Sequence, residues 1–273
     1  MEIKSDKELA FLKDLYVAAD WGERFAELVD EHLELPEEGR SLYIASGTGA
    51  HGMSMQERAD TKLKFVFADE SEECLELART KAVAMNQEAE FQRENPRGLT
   101  FTDDQFDLAV GDASLLPPED LQKVLAELIR VAKPGATVAC WFPTASSFGE
   151  FFSIYWEALQ SAGLEDHGLE VENLITRLPT VSDIEAFAER AGLYDVASWT
   201  AIEEFDFESG EEFLNSPLIT DFLLPNWLLS VPEAARARVV EQISSIIDEE
   251  RHSGEFALTL KATLVMGKKA RVQ

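Results

Sequence analysis

From Ser41 to Phe142 the chain alternates between short apolar runs and amphipathic helical stretches, and that alternation leaves few folds open. The runs are SLYIAS (41–46), LKFVFA (63–68), AEFQR (89–93), FDLAV (106–110) and ATVACWF (136–142). Helical spacing fills intervals near 50–58, 71–87 and 119–132. Strands joined by helical crossovers pair in parallel and are buried on both faces. The pattern predicts an α/β protein built on a doubly wound, mostly parallel sheet.

On the N-terminal side, Leu9, Leu12, Leu15 and Tyr16, then Phe25, Leu28, Val29 and Leu33, recur at helical spacing and stop at Pro36 and Gly39. Beyond Phe142, FGEFFSIYWEALQSAG (148–163) reads as an aromatic-rich helix and 182–191 as another. Two late strands are expected at LYDVASWTAIEEFDF (193–207) and EFALTLKATLVMG (255–267). They enclose a helical stretch, 209–252, punctuated by Pro217, Pro225 and Pro232. Such strands bring the sheet to seven, with an antiparallel edge and a helical cap insertion. The expected organisation is a single domain over 1–273. Its parts are N-terminal helices (1–40), a core (41–143), a helical elaboration (144–192) and C-terminal strands (193–267) carrying the insertion 209–252.

Charge narrows the partners. The 273 residues hold 24 Lys+Arg against 52 Asp+Glu, a formal net charge of −28. Nucleic acid is bound by basic residues that displace its counterions, and no Lys/Arg-rich run exists to do so. The tail Lys268-Lys269-Ala270-Arg271 reads as a solvated terminus, and the Glu-rich stretches 203–212 and 248–255 as solvated faces. Neither nucleic acid nor an anionic membrane is an expected partner; an acidic, salt-tolerant surface is one explanation of the charge. The start, MEIKSDKELAFLKDL, is charged and helical, so no signal peptide is expected. No apolar run nears the ~20 residues of a membrane-spanning helix. These features predict a cytoplasmic protein, with Cys74 and Cys140 as two buried thiols.

The chemistry is expected at SLYIASGTGAHG (41–52). There a strand runs directly into Gly47-Thr48-Gly49 and a helix follows. Glycine in such a turn lets a ligand approach the backbone and allows positive φ. The helix start beyond offers free N–H groups to an anionic group. The next strand, FVFAD, ends in Asp69, whose carboxylate can accept from both ribose hydroxyls of an adenosine ligand. Gly47, Gly49 and Gly52 also spell GxGxxG, which would suit a dinucleotide, and a plain tight turn fits the glycines too.

Four motifs in order, LYIASGTG, FADESEECLELAR, LTFTDDQFDLAV and IRVAKPGATV, closely resemble the class I S-adenosylmethionine-dependent methyltransferases. The likeness is to their small-molecule type, related to the ubiquinone/menaquinone-biosynthesis methyltransferases. The family's patterns at these places read like LDIGCGTG, VDISEEMLELAR, LPFPDNSFDLVV and ARVLKPGG, and the resemblance covers about residues 40–143. It implies a Rossmann-like methyltransferase fold, S-adenosylmethionine as cofactor and a small-molecule acceptor with an O, N or C nucleophile. Ala45, Ser46, Gly47, Thr48 and Gly49 would wrap the methionine part of the cofactor. Asp69 would hold the ribose hydroxyls, Glu70 would lie against the adenine, and Asn95 would accept from the adenine amino group. Gly111 and Asp112 would lie beside the sulfonium and the substrate.

Among the departures from the family, two bear on the cofactor. Tyr43 replaces the acidic residue of the first strand, and Pro96 has no N–H to give an adenine nitrogen. These departures motivate a second reading, a non-catalytic methyltransferase-like binding or scaffold protein. The literal GxGxxG motivates a third, an NAD(P)-dependent oxidoreductase. If methyl transfer needs an acid–base residue, Asp112 is placed best and His51 next. A loop-capping role for Asp112 and a first-turn helix role for His51 fit the same positions. Phe148, Phe151, Phe152, Tyr155 and Trp156, with Phe222, Trp227, Tyr16 and Trp21, would wall an apolar pocket or fill a cap core. His32, His167 and His252 lack ligand spacing, so no metal is expected.

Overall fold

The computed structural model describes residues 4–164, 168–250 and 256–271. His167, His252 and Glu255 lie outside the described residues. The strands are β1 (Gly39–Ile44), β2 (Leu63–Asp69), β3 (Glu90–Arg93), β4 (Phe106–Asp112), β5 (Ala132–Pro143), β6 (Leu193–Phe207) and β7 (Phe256–Lys269). They form one seven-stranded sheet in the order β3-β2-β1-β4-β5-β7-β6. The pairs β1–β2, β2–β3, β1–β4 and β4–β5 are parallel, and the edge beyond them is antiparallel. The doubly wound, mostly parallel sheet with an antiparallel edge is therefore present, with helices on both faces.

The strand order reverses at β1, where successive crossovers leave on opposite sides. A crevice opens beyond the carboxyl ends of strands at such a point. Register sets its floor: Ile44 of β1 lies between Ala68 of β2 and Gly111 of β4. Leu42, Ile44, Val66, Ala109 and Val138 are essentially fully buried, so the strand ends stand on a packed base. Cys74 and Cys140 are buried free thiols.

Helices α1 (Asp6–Leu12), α2 (Lys13–Gly22) and α3 (Glu23–His32) run end to end before β1. Ser5 and Glu8 close a capping box at the start of α1. Helix α2 is π-helical, and its wider turn changes which residues face inward. The expected apolar face over Leu9, Leu12, Leu15 and Tyr16 is not the buried one: Leu15 and Tyr16 are half exposed, whereas Ala10, Val17 and Trp21 are buried. A 3.6-residue period misjudges the face because this stretch does not keep that period. Between the strands come α4 (Ala50–Arg58), α5 (Glu72–Ala84) and α6 (Leu121–Val131).

The chain divides into two compact units. One comprises Lys4–Phe142, Val181–Thr200 and the chain from Ala262; the other comprises Pro143–Thr180 and Ala201–Lys261. In the second unit the aromatic side chains fill one another's space. Phe151 stacks on Trp227 at 4.2 Å, and Phe148, Phe152 and Phe213 close around them. They are buried and build that unit's core. The helix Gly168–Arg177 falls within the helical elaboration expected over 144–192, and it buries little besides Val171.

Candidate functional site

Beyond β1 the residues Ala45, Gly47 and Gly49 take positive φ of 52°, 55° and 81°. This winds the chain into a tight turn that is tied to the end of β2. Ser46 donates its N–H to the Ala68 carbonyl at 3.1 Å, and Gly49 donates to the Ser46 carbonyl at 3.0 Å. Gly47 donates its N–H to Asp69 Oδ2 at 2.7 Å, and Ser71 donates to Asp69 Oδ1 at 2.9 Å. Gly49, at the start of helix α4, holds φ of +81°, a left-handed conformation that favours glycine. Gly49 also leaves the α4 N-terminus without a side-chain cap.

Ala45 holds a left-handed conformation where the family pattern has glycine. A Cβ in that region costs about 1–2 kcal/mol. Ala45→Gly is expected to raise the unfolding free energy by about 1 kcal/mol, less than the full strain because glycine also frees the unfolded chain. Urea denaturation of the two proteins measures it, and unchanged or lower stability would mean that the turn carries no strain.

The turn borders a cavity of about 400 Å³. Ala45, Ser46, Gly47, Thr48, Gly49, His51 and Asp112 line it together, so it gathers seven of the expected site residues. The roof comes from α2 and α3 through Lys13, Trp21 and Asp30, and Trp141 at the end of β5 completes the wall. Trp21 is anchored by donating its indole N–H to Ser114 Oγ at 2.9 Å. Ser46 Oγ is buried without a hydrogen-bond partner among the described residues.

The other expected residues stand outside the cavity lining. Asp69 lies beneath the turn, 5% exposed, with each oxygen on a backbone N–H. Glu70 pairs with Arg97 at 3.0 Å, and Asn95 Oδ1 accepts from the Arg97 backbone N–H at 3.0 Å. Gly111 answers to packing: a Cβ there would meet Leu128 at 2.9 Å and Ile44 at 3.0 Å.

Titratable groups in the cavity are strongly influenced by burial. Burial raises the Asp112 carboxyl above its usual range, and bonds from Ser114 offset only part of that. Burial, with Asp112 nearby, raises the Tyr43 phenol well above normal. The Lys13 ammonium is disfavoured by burial, yet the field of Asp69, Cys74 and Asp112 holds its pKa above the ordinary value. His51 has both ring nitrogens engaged: Nδ1 lies 3.1 Å from the Tyr43 hydroxyl and Nε2 lies 3.0 Å from Asp30. The Tyr43 and Trp141 rings each meet the imidazole edge-on. Asp30 also pairs with Arg58, and despite burial its contacts with His51 and Arg58 hold its pKa below normal.

Lys13, Asp30, Lys81 and Trp141 were not singled out by the sequence. Asp14 bridges Thr48 and Lys81, tying α2 to the glycine turn. The usable signal was Lys13-Asp14, a charged pair inside an otherwise apolar-periodic helix.

The Methyltransferase domain family matches residues 42–135, the stretch that holds the turn, Asp69 and Asp112. A curated protein to which the chain is similar is the demethylmenaquinone methyltransferase of Thermus thermophilus. That protein is 33% identical over 121 residues, which is 43% of this chain and 54% of the relative. The chain spans about two-fifths to half the length of the curated relatives it matches.

Likeness in fold runs further along the chain. YcgJ from Bacillus subtilis aligns over 92% of this chain and 100% of its own, with TM-score 0.60 and 17% identity. Phosphoethanolamine N-methyltransferase 2 of Haemonchus contortus, solved in complex with S-adenosyl-L-methionine, aligns over 98% of this chain and 61% of its own. Its TM-score is 0.56, at 14% identity. The likeness to these two is one of fold, in the sheet and its helical crossovers. Among the described residues no helix is long and apolar enough to cross a membrane, and no group of three or more His, Cys, Asp or Glu could hold a metal ion.

Proposed function

We propose that the chain binds S-adenosylmethionine at the glycine turn and transfers its methyl group to a small-molecule O, N or C nucleophile. The observation that carries this reading is the Gly47–Asp69 bond beside a cavity that reaches Asp112. The residues present suit the ligand. Asp69 uses two of its roughly four acceptor positions on backbone N–H groups, leaving the others for ribose hydroxyls. The partnerless Ser46 hydroxyl and the uncapped α4 N-terminus suit the polar amino-acid end of the ligand. Asp112 places a carboxylate in the cavity, complementary to a sulfonium.

The cofactor, when bound, supplies a methyl group already activated by the positive sulfur. The protein's work is to bind, align and keep out water. Trp21 and Trp141 give the cavity apolar walls that exclude solvent. His51, held at both nitrogens, is a fixed polar wall, so Asp112 is the group left to accept a proton from an acceptor that carries one. The name of the Thermus relative and the ligand in the Haemonchus structure support the methyl donor.

Titration calorimetry with S-adenosylhomocysteine tests the reading directly, with saturable one-to-one binding expected. Binding of NADH and not of S-adenosylhomocysteine would replace it by the oxidoreductase reading. The scaffold reading is favoured by Tyr43, whose hydroxyl is bound to His51 in place of the family's acid. Detection of a methylated product with any acceptor eliminates that alternative.

A further inference from the structure

We propose that Lys13 binds the carboxylate at the amino-acid end of the cofactor, an inference that rests on the function proposed above. Lys13, Lys81 and His51 are the basic side chains lining the cavity. Lys81 is held by Asp14 and Thr48, and His51 by Tyr43 and Asp30. Among the described residues Lys13 forms no ion pair or hydrogen bond. Its side chain lies against the glycine turn: a Cβ on Gly47 would be 3.2 Å from Lys13 Cε and 3.3 Å from Nζ. A half-buried ammonium without a partner calls for an anion, since taking a charge out of water is costly until it is matched.

The position selects which anion. Gly47 presents bare backbone to the cavity because its side chain is absent, and the uncapped N-terminus of α4 begins just beyond. An anion between them would meet one ammonium and the helix-start N–H groups, the donor set of a carboxylate site. An adenosine ligand whose ribose is held at Asp69 extends its tail along this turn. Its ring end needs nothing from Lys13. The neighbouring acids Asp69 and Asp112 set the field at Lys13 but leave its hydrogens unbonded.

The prediction concerns ligand binding by the full chain and requires no turnover. Calorimetry compares wild type, Lys13→Met and Lys13→Arg, each with S-adenosylhomocysteine and with 5′-methylthioadenosine, which lacks the amino-acid tail. Lys13→Met is expected to weaken S-adenosylhomocysteine about tenfold or more and to leave 5′-methylthioadenosine within twofold. Lys13→Arg should retain most of the affinity. Equal weakening of both ligands would overturn the proposal in favour of a structural role. Unchanged or tighter S-adenosylhomocysteine binding would overturn it too, the second meaning that the ammonium competes with the ligand. If wild type binds neither ligand, the methyl-donor reading itself fails. Thermal denaturation checks folding, and Lys13→Gln serves the same comparison should the methionine variant not fold.

Discussion

Asp69→Ala is expected to reduce S-adenosylhomocysteine affinity about a hundredfold, whereas Asp104→Ala leaves it within twofold. Asp69 does two jobs at once. It accepts the N–H groups of Gly47 and Ser71, and in the proposed function its remaining lone pairs would take the ribose hydroxyls. Removing the carboxylate strands two donors at a buried position, at about 1–3 kcal/mol for each. The variant should therefore also lose stability, on the order of 2–5 kcal/mol. Asp104 is a half-exposed partner of Lys269, a pair of small energetic weight. Asp69→Asn separates the effects, because its amide oxygen still accepts from one N–H while the negative charge is gone. Calorimetry on all three, with urea melts alongside, gives both readouts. Equal affinities for the Asp69 and Asp104 variants would remove Asp69 from the site.

Gly52→Val is expected to destabilise the chain by about 3 kcal/mol or more. A Cβ at this position would stand 2.3 Å from Phe67 Cε1 and 2.8 Å from Tyr43 Cδ1. Both rings are buried, with Phe67 stacked on Phe65 and Phe91. They have nowhere to turn, so α4 would have to lift from the sheet. The third glycine of GxGxxG thus serves helix-to-sheet approach and says nothing about which nucleotide binds. Chemical denaturation decides: a variant as stable as wild type would show that α4 has room to spare.

Much of the architecture was legible because periodicity is local. Strand β6 falls on 193–207 as expected, and β7, expected over 255–267, is observed from Phe256 to Lys269. The site was legible where one segment supplies several residues, as from Ala45 to Gly49. It was illegible where the contact is distant. Asp30 reaches His51 from another helix, and no spacing rule links the two. Lys13 was hidden because the π-helical stretch departs from the period by which a buried face is recognised, whereas Trp21, expected as a pocket-wall aromatic, does line the cavity. The aromatic group from Phe148 to Trp227 fitted either a pocket wall or a core, and only the ring stacking identifies a core.

The pairing of β1 with β4 carries a kinetic consequence. Leu42 sits beside Ala109, with β2, β3 and two helices threaded through the chain between them. A large loop must therefore close before the central ladder returns any free energy, and parallel pairing offers no hairpin as a shortcut. Chains dominated by such distant pairings refold slowly and leave sticky strand edges open meanwhile. The dense negative charge then has a use during that interval: unfinished copies repel one another while the central ladder assembles.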